Sequence, residues 1–252
     1  MIPSAADGWT PPTRRRLRAI AGRLAKRFGP LDPPRAVDPL DELVFTVLSQ
    51  HTSDLNADRA FASLRRAFPG PWDAVVAASE GAVADAIRGG GLANSKAPRI
   101  QAILREVHER EAGFDLARLR GLPDAEVRAY LMSLPGIGPK TAAVVMSFAL
   151  GRDALPVDTH VHRVAARLRL IPPRASAEKA DRILHDLVPD GLRTPMHVGF
   201  IRLGREICKA PTPRCRQCPM RDICPTAPRY LAVSAGSQHG TVSRRAAPNR
   251  SG

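Results

Sequence analysis

The sequence predicts an all-α fold from three observations. Aromatic residues are sparse, with 7 Phe, 2 Trp and 2 Tyr in 252 residues. No long stretch alternates β-branched with polar residues, and Ala, Leu and Arg recur at helical spacing. The first helix is expected over 13–28, where Leu17, Ile20, Ala21 and Leu24 form an apolar stripe among Arg and Lys. The second opens at the capping residue Asp38, with Pro39 at the first helical position and Leu40, Leu43, Val44, Val47 and Leu48 on one face. Further helices are expected at 55–68, 95–112, 124–134, 139–150, 159–170, 176–187 and 195–207, the last announced by Thr194 as cap and Pro195 as its first residue.

The two ends read differently from the middle. Residues 1–10 carry nothing that would anchor them and are expected to be flexible. Residues 226–252 contain Arg229, Arg244, Arg245 and Arg250, no acidic residue and little to bury, which predicts a disordered basic tail. The longest apolar run, 141–150, is about half of what a membrane helix needs, and the N-terminal segment lacks the apolar centre of a signal peptide. A soluble, cytoplasmic chain without a membrane partner is therefore expected. With 38 Lys and Arg against 24 Asp and Glu, the net charge is +14, which favours polyanions and makes nucleic acid the first partner to consider. A general compositional preference for Arg is the alternative.

Three segments carry candidate chemistry. Residues 134–142 read LPGIGPKTA between two helical stretches. Gly136 and Gly138 give the turn conformational freedom and exposed N–H groups, and Pro139 starts a helix whose N-terminal dipole points the same way, so the hairpin suits an anion. Lys140 falls in the first turn of that helix, where the dipole disfavours a cation. It is a candidate amine nucleophile, with phosphate contact as the plainer alternative. Downstream, Asp158 in LPVDTHVHRVAARL is placed to cap a helix; His160 and His162, two positions apart, point to different faces and are read as structural or surface groups.

All four cysteines lie in a CX6CX2CX5C cluster made of Cys208, Cys215, Cys218 and Cys224. Such crowding points to a metal centre rather than to disulfides, and only one CX2C pair is present where zinc sites generally use two. Both an iron–sulfur cluster and zinc remain open on spacing alone, the former fitting better. Lys209 and Arg214 in the first loop of the cluster are candidate phosphate contacts.

LPGIGPKTA, VDTHVHR with Asp158 18 residues after Lys140, and the cysteine cluster occur here in one order. In that combination, over about residues 13–225, the chain closely resembles the endonuclease III family, bifunctional DNA glycosylases of the helix-hairpin-helix Gly/Pro/Asp superfamily. VLSQHTSDLNADRA is similar to the family's LLSAQATD segment, and GLANSKAPRI to its GLYNSKAENI loop. The resemblance implies that Lys140 is the Schiff-base nucleophile, that Asp158 assists it, and that the four cysteines hold a 4Fe-4S cluster. It also implies two helical domains flanking a DNA-binding cleft: a six-helix barrel over 39–154, and an iron–sulfur domain built from 11–38 and 155–225.

The expected partner is double-stranded DNA containing damaged bases or abasic sites, bound by a monomer in the nucleoid. The expected reaction is removal of a damaged, oxidised pyrimidine followed by β-elimination at the abasic site. The chain departs from the family pattern at His51, which aligns with a DNA-probing Gln and is preceded here by Gln50; both stay candidates. Met132, eight residues before Lys140, stands where the family often has Glu. Leu92 matches the family's wedge and is either an inserting residue or an ordinary core leucine. Two alternatives remain. One is a monofunctional glycosylase of the same superfamily for mismatched adenine, uracil or thymine, a type that carries another residue in place of the hairpin lysine; the adenine type also adds a C-terminal domain, which the short tail here opposes. The other is a non-catalytic DNA-binding module in which Lys140 only neutralises phosphate.

Overall fold

A computed structural model describes residues 8–32 and 37–236, and among them there are helices, turns and loops but no strand. The helices are α1 (Arg14–Phe28), α2 (Pro39–Ser49), α3 (Asp54–Ala67), α4 (Asp73–Ala77), α5 (Glu80–Ala86), α6 (Ala93–Glu111), α7 (Asp124–Ser133), α8 (Pro139–Val144), α9 (Thr159–Arg167), α10 (Ala177–Leu187), α11 (Arg193–Glu206) and α12 (Ala227–Gly236). The cap at Asp38 follows the sequence, whereas α11 starts at Arg193 with Leu192 at its cap position, so Thr194 lies inside the helix and is not its cap. The Asp38 carboxylate accepts from the amides of Leu40 and Asp41, Ser53 caps α3 and Ser176 caps α10.

The apolar stripes close two cores. One runs from Leu40 through Ile100, Ile103, Leu104 and Leu131 to Ala154. The other joins Trp9 and the α1 stripe to Val161, Val164, Leu184, Phe200, Leu203 and Met220. The chain thus leaves the second core after α1, builds the first, and returns. Polar contacts stitch the halves together: Arg128 to Asp181 at 2.5 Å, Arg205 to Asp54 at 2.8 Å, and the buried hydroxyls of Ser147 and Thr194 at 3.2 Å. Asp153 fastens the start of α11, accepting from Thr194 N at 3.0 Å and Gly191 N at 2.6 Å.

Several expectations are corrected. Trp9 lies within the segment expected to be loose, yet it is buried, and its indole N–H donates to the Arg169 carbonyl at 3.0 Å. The rest of that segment, residues 1–7, lies outside the described residues. The tail expected to be disordered from 226 begins instead as α12, because Ala227 is buried and the Tyr230 ring takes the Arg167 guanidinium 5.0 Å from its centroid; residues 237–252 lie outside the described residues. The single helix expected over 139–150 is α8 followed by a wider-wound turn over Val145–Ala149. Two short helices, α4 and α5, went unread since neither is long enough to show a period. No helix among the described residues is long and apolar enough to cross a membrane.

Candidate active site and cysteine cavity

The hairpin between α7 and α8 closes through Ile137 N to Leu134 O at 3.2 Å. Gly136 sits at φ +71°, so the backbone favours glycine, and a Cβ there would stand 2.9 Å from Arg99 Nε and push that side chain aside. Gly138 is different from expectation: its φ of −95° suits any residue. A Cβ on it would meet nothing, so glycine there leaves open space beside the N-terminus of α8. That opening, flanked by unpaired first-turn amides, is where an anion has access.

Lys140 is exposed in the first turn of α8. With Gly138, Pro139, Thr141 and Val157 it lines a cleft of about 400 Å³ whose far wall is α10, contributing Glu178 and Asp181. Asp181 is paired with Arg128. Glu178 is held below the usual carboxylate range by its own backbone amide and the Ser176 hydroxyl at the start of α10. Met132 is exposed and brings no carboxylate to the hairpin.

Asp158 caps α9, its Oδ1 accepting from Val161 N at 2.7 Å. Next to Val157 on the cleft wall, it is half-buried. A residue that sequence reasoning missed feels the charges of both Asp158 and Lys140. His197 on α11 is 3% exposed, packs edge-on against Phe148 at 5.6 Å and donates from Nδ1 to the Pro156 carbonyl at 2.8 Å. Burial pushes its pKa down to about 4, Asp158 pulls it up and Lys140 pushes it down, so both charges act on one neutral imidazole. Its neighbours Met196, Phe200 and Leu203 share the buried face of the helix, which in the sequence makes it look like a core histidine. The other two behave structurally: His162 Nε2 meets Ala175 O at 2.8 Å, and His160 Nδ1 accepts from Arg163 at 3.0 Å.

The DNA-probing candidates separate. Gln50 is half-buried, its Oε1 accepting from Arg99 Nη1 at 3.0 Å and its Nε2 lying 3.5 Å from Thr141 Oγ1. His51 is exposed with φ +56°, and Leu92 is 58% exposed with φ +53°. Leu92 is therefore no core leucine.

All four cysteines line one cavity of about 410 Å³, closed by Val164, Leu203, Ile207, Met220 and Tyr230. Arg167 reaches Cys208 Sγ at 3.3 Å and the carbonyl of Lys209 at 2.8 Å. Burial pushes the Cys218 thiol up to about 11, with the neighbouring cysteines acting in the same direction. Such a lining favours thiolates only around a cationic body. Among the described residues no three His, Cys, Asp or Glu side chains are gathered closely enough to form a metal-ion site, although the four thiols line one cavity. Lys209 and Arg214 are exposed on the loop that joins the first two cysteines.

Residues 44–190 match the HhH-GPD superfamily base excision DNA repair protein family. Endonuclease III of Thermotoga maritima is 34% identical over 211 residues, covering 82% of this chain and 92% of that protein. Endonuclease III of Escherichia coli is 34% identical over 186 residues, covering 74% and 83%. A protein of Arabidopsis thaliana named for DNA glycosylase activity is 42% identical over 169 residues, and the chain spans 57% of its length. Among solved structures, a trapped endonuclease III–DNA covalent intermediate superposes with a TM-score of 0.75 at 29% identity, covering 87% of this chain and 99% of that one.

Proposed function

Because the chain belongs to the HhH-GPD superfamily of base excision DNA repair proteins, we propose that it is a bifunctional DNA glycosylase and abasic-site lyase that removes damaged, oxidised pyrimidines from duplex DNA. The observation that carries this reading is the cleft itself. An exposed lysine in the first turn of the hairpin helix lines it together with Val157, the residue before the cap aspartate of α9, and the charges of that lysine and that aspartate both act on one buried neutral histidine.

A base inside a duplex is out of reach, so the damaged nucleotide is extruded into the cleft, at a cost lowest where pairing is already weak. The hairpin amides and the open side of Gly138 hold a backbone phosphate. Lys140 Nζ, as a free amine, attacks the sugar C1′; the C1′–N bond to the base breaks, and the base leaves with a proton. The Asp158 carboxylate faces the positive charge that builds on the sugar. The ring opens to an iminium on Lys140, which acidifies C2′. Loss of that proton expels the 3′ phosphate by β-elimination, and water then releases the lysine. His197, kept neutral by burial, adds no positive charge beside the amine.

Cys208, Cys215, Cys218 and Cys224 would hold a 4Fe-4S cluster, which when bound cross-links the C-terminal loops and fixes Lys209 and Arg214 on a rigid surface. The reaction takes place wherever the chain meets its DNA, in the cytoplasm and nucleoid on this reading.

A panel of duplexes, each with one lesion, incubated with the protein and then with borohydride, tests the proposal. Base loss, strand cutting and a covalent adduct on oxidised pyrimidines are expected. Base loss without adduct would move the assignment to a monofunctional glycosylase, and binding without either would make the chain a DNA-binding module.

A further inference from the structure

Lys96 on α6 is 3% exposed, the one buried lysine among the described residues. Its Nζ donates to Leu48 O at 2.6 Å and to Gly90 O at 2.9 Å. It takes part in none of the ion pairs among the described residues. Both carbonyls belong to helix ends that leave acceptors without an intrahelical donor: Leu48 near the C-terminus of α2, and Gly90 at the close of the tight turn Arg88–Gly90. One ammonium thus caps two elements at once. Burial alone drives its pKa down, so the charged form is kept there against desolvation.

The two capped carbonyls lead into similar backbone. Three residues after Leu48 stands His51, and two after Gly90 stands Leu92, both exposed and both at positive φ. Only two other non-glycine residues among those described, Ala112 and Arg169, take that conformation. Left-handed backbone without glycine persists only where its surroundings hold it. Gly90 is itself pressed against α3, where a Cβ would stand 2.9 Å from Ala60 Cβ. The two exposed tips are therefore the ends of one braced unit whose centre is the Lys96 ammonium.

We propose that Lys96 is a positioning residue for duplex engagement: it holds His51 and Leu92 at a fixed separation, so that both enter the base stack together as the nucleotide is extruded. This rests on the reading given under Proposed function. An apolar side chain of the same length would fill the space but leave both carbonyls open and each tip free to move independently.

The test compares Lys96→Met and Lys96→Gln with the unaltered chain on two substrates: an abasic site within a duplex, and the same strand alone, which offers no partner strand for the tips to separate. Single-turnover cutting is measured on both, with 2-aminopurine fluorescence beside the site reporting extrusion in the duplex. The ratio of duplex to single-strand cutting is expected to fall at least ~10-fold in Lys96→Met, in line with the cost of misplacing a positioned group, and less in Lys96→Gln, which retains donors. The fluorescence rise is expected to be lost in parallel. A ratio that does not change, even with a lowered melting temperature, overturns the proposal in favour of simple helix capping. Failure of both variants to fold overturns it likewise. If the unaltered chain cuts neither substrate, the lyase reading fails, and the fluorescence signal, which needs only binding and extrusion, still decides the role of Lys96.

Discussion

The Arg99 guanidinium donates to Gln50 Oε1 at 3.0 Å, and so turns Gln50 toward the hairpin while His51 is left facing solvent. Because Gly136 packs against the same guanidinium, Arg99 ties the C-terminus of α2 to the turn that carries Lys140. We propose on this geometry that Gln50 is a brace and His51 the residue that meets DNA.

His51→Ala should weaken binding to a duplex abasic site about 10-fold, the size of one lost stacking contact of ~1.4 kcal/mol, while cutting of the single strand stays unchanged. Gln50→Leu should slow both reactions together, since it loosens the hairpin. Titrations and single-turnover rates on the two substrates check this, and the reverse pattern would exchange the two roles.

Asp158 caps α9, and substitution can separate that role from the charge stabilisation proposed for it. Asparagine caps a helix about as well as aspartate, so Asp158→Asn should leave the melting temperature nearly unchanged, whereas Asp158→Ala should cost about 1 kcal/mol. On a damaged base Asp158→Asn should lose at least ~10-fold more rate than on a pre-formed abasic site, where less charge builds up, corresponding to ~1.4 kcal/mol of differential stabilisation. Equal loss on both substrates would assign Asp158 to the shared imine chemistry.

A buried histidine and a half-buried glutamate predict pH effects of opposite sign. Burial depresses His197 from 6.5 to about 4, so between those values the unfolded chain binds a proton that the folded chain refuses. Its contribution to stability is complete above 6.5 and is lost as pH falls through 4. Burial raises Glu42 from 4.5 to about 7, against the Thr46 hydroxyl that donates to it at 3.3 Å. Its contribution is complete below 4.5 and is lost as pH rises through 7. Urea titrations should therefore show His197→Gln flattening the acid side of the stability profile. Glu42→Gln should be stabilising above pH 7 and gain nothing below pH 4.5.

The purified protein should be brown, with broad visible absorption and about four irons per chain. Cys218→Ala, or removal of the metal, should abolish the absorption and reduce the salt dependence of DNA binding, because Lys209 and Arg214 then lose their rigid loop. One zinc and no iron in anaerobically prepared protein would contradict this.

Much of the architecture was legible because its helices announce themselves: the α1 and α2 stripes are long, and Asp38 and Asp158 cap the helices that follow them. The hairpin, Lys140, Asp158 and the cysteines were legible as motifs in order along the chain. His197 was not, for its pairing with Pro156 spans 41 residues and exists only once α11 docks. The role of Lys96 was not legible either, since nothing local signals that Leu48 and Gly90 will converge on it. Trp9 and Tyr230 were hidden by polar, proline-bearing surroundings that mask single anchoring side chains.

Whether Lys140 forms the covalent bond is decided by borohydride trapping on a duplex with one abasic site, with mapping of the cross-linked peptide. An adduct is expected on the peptide that holds Lys140, absent in Lys140→Gln although that variant still binds the duplex through the hairpin amides. An adduct on any other amine, or full trapping by Lys140→Gln, would remove Lys140 from the role of nucleophile.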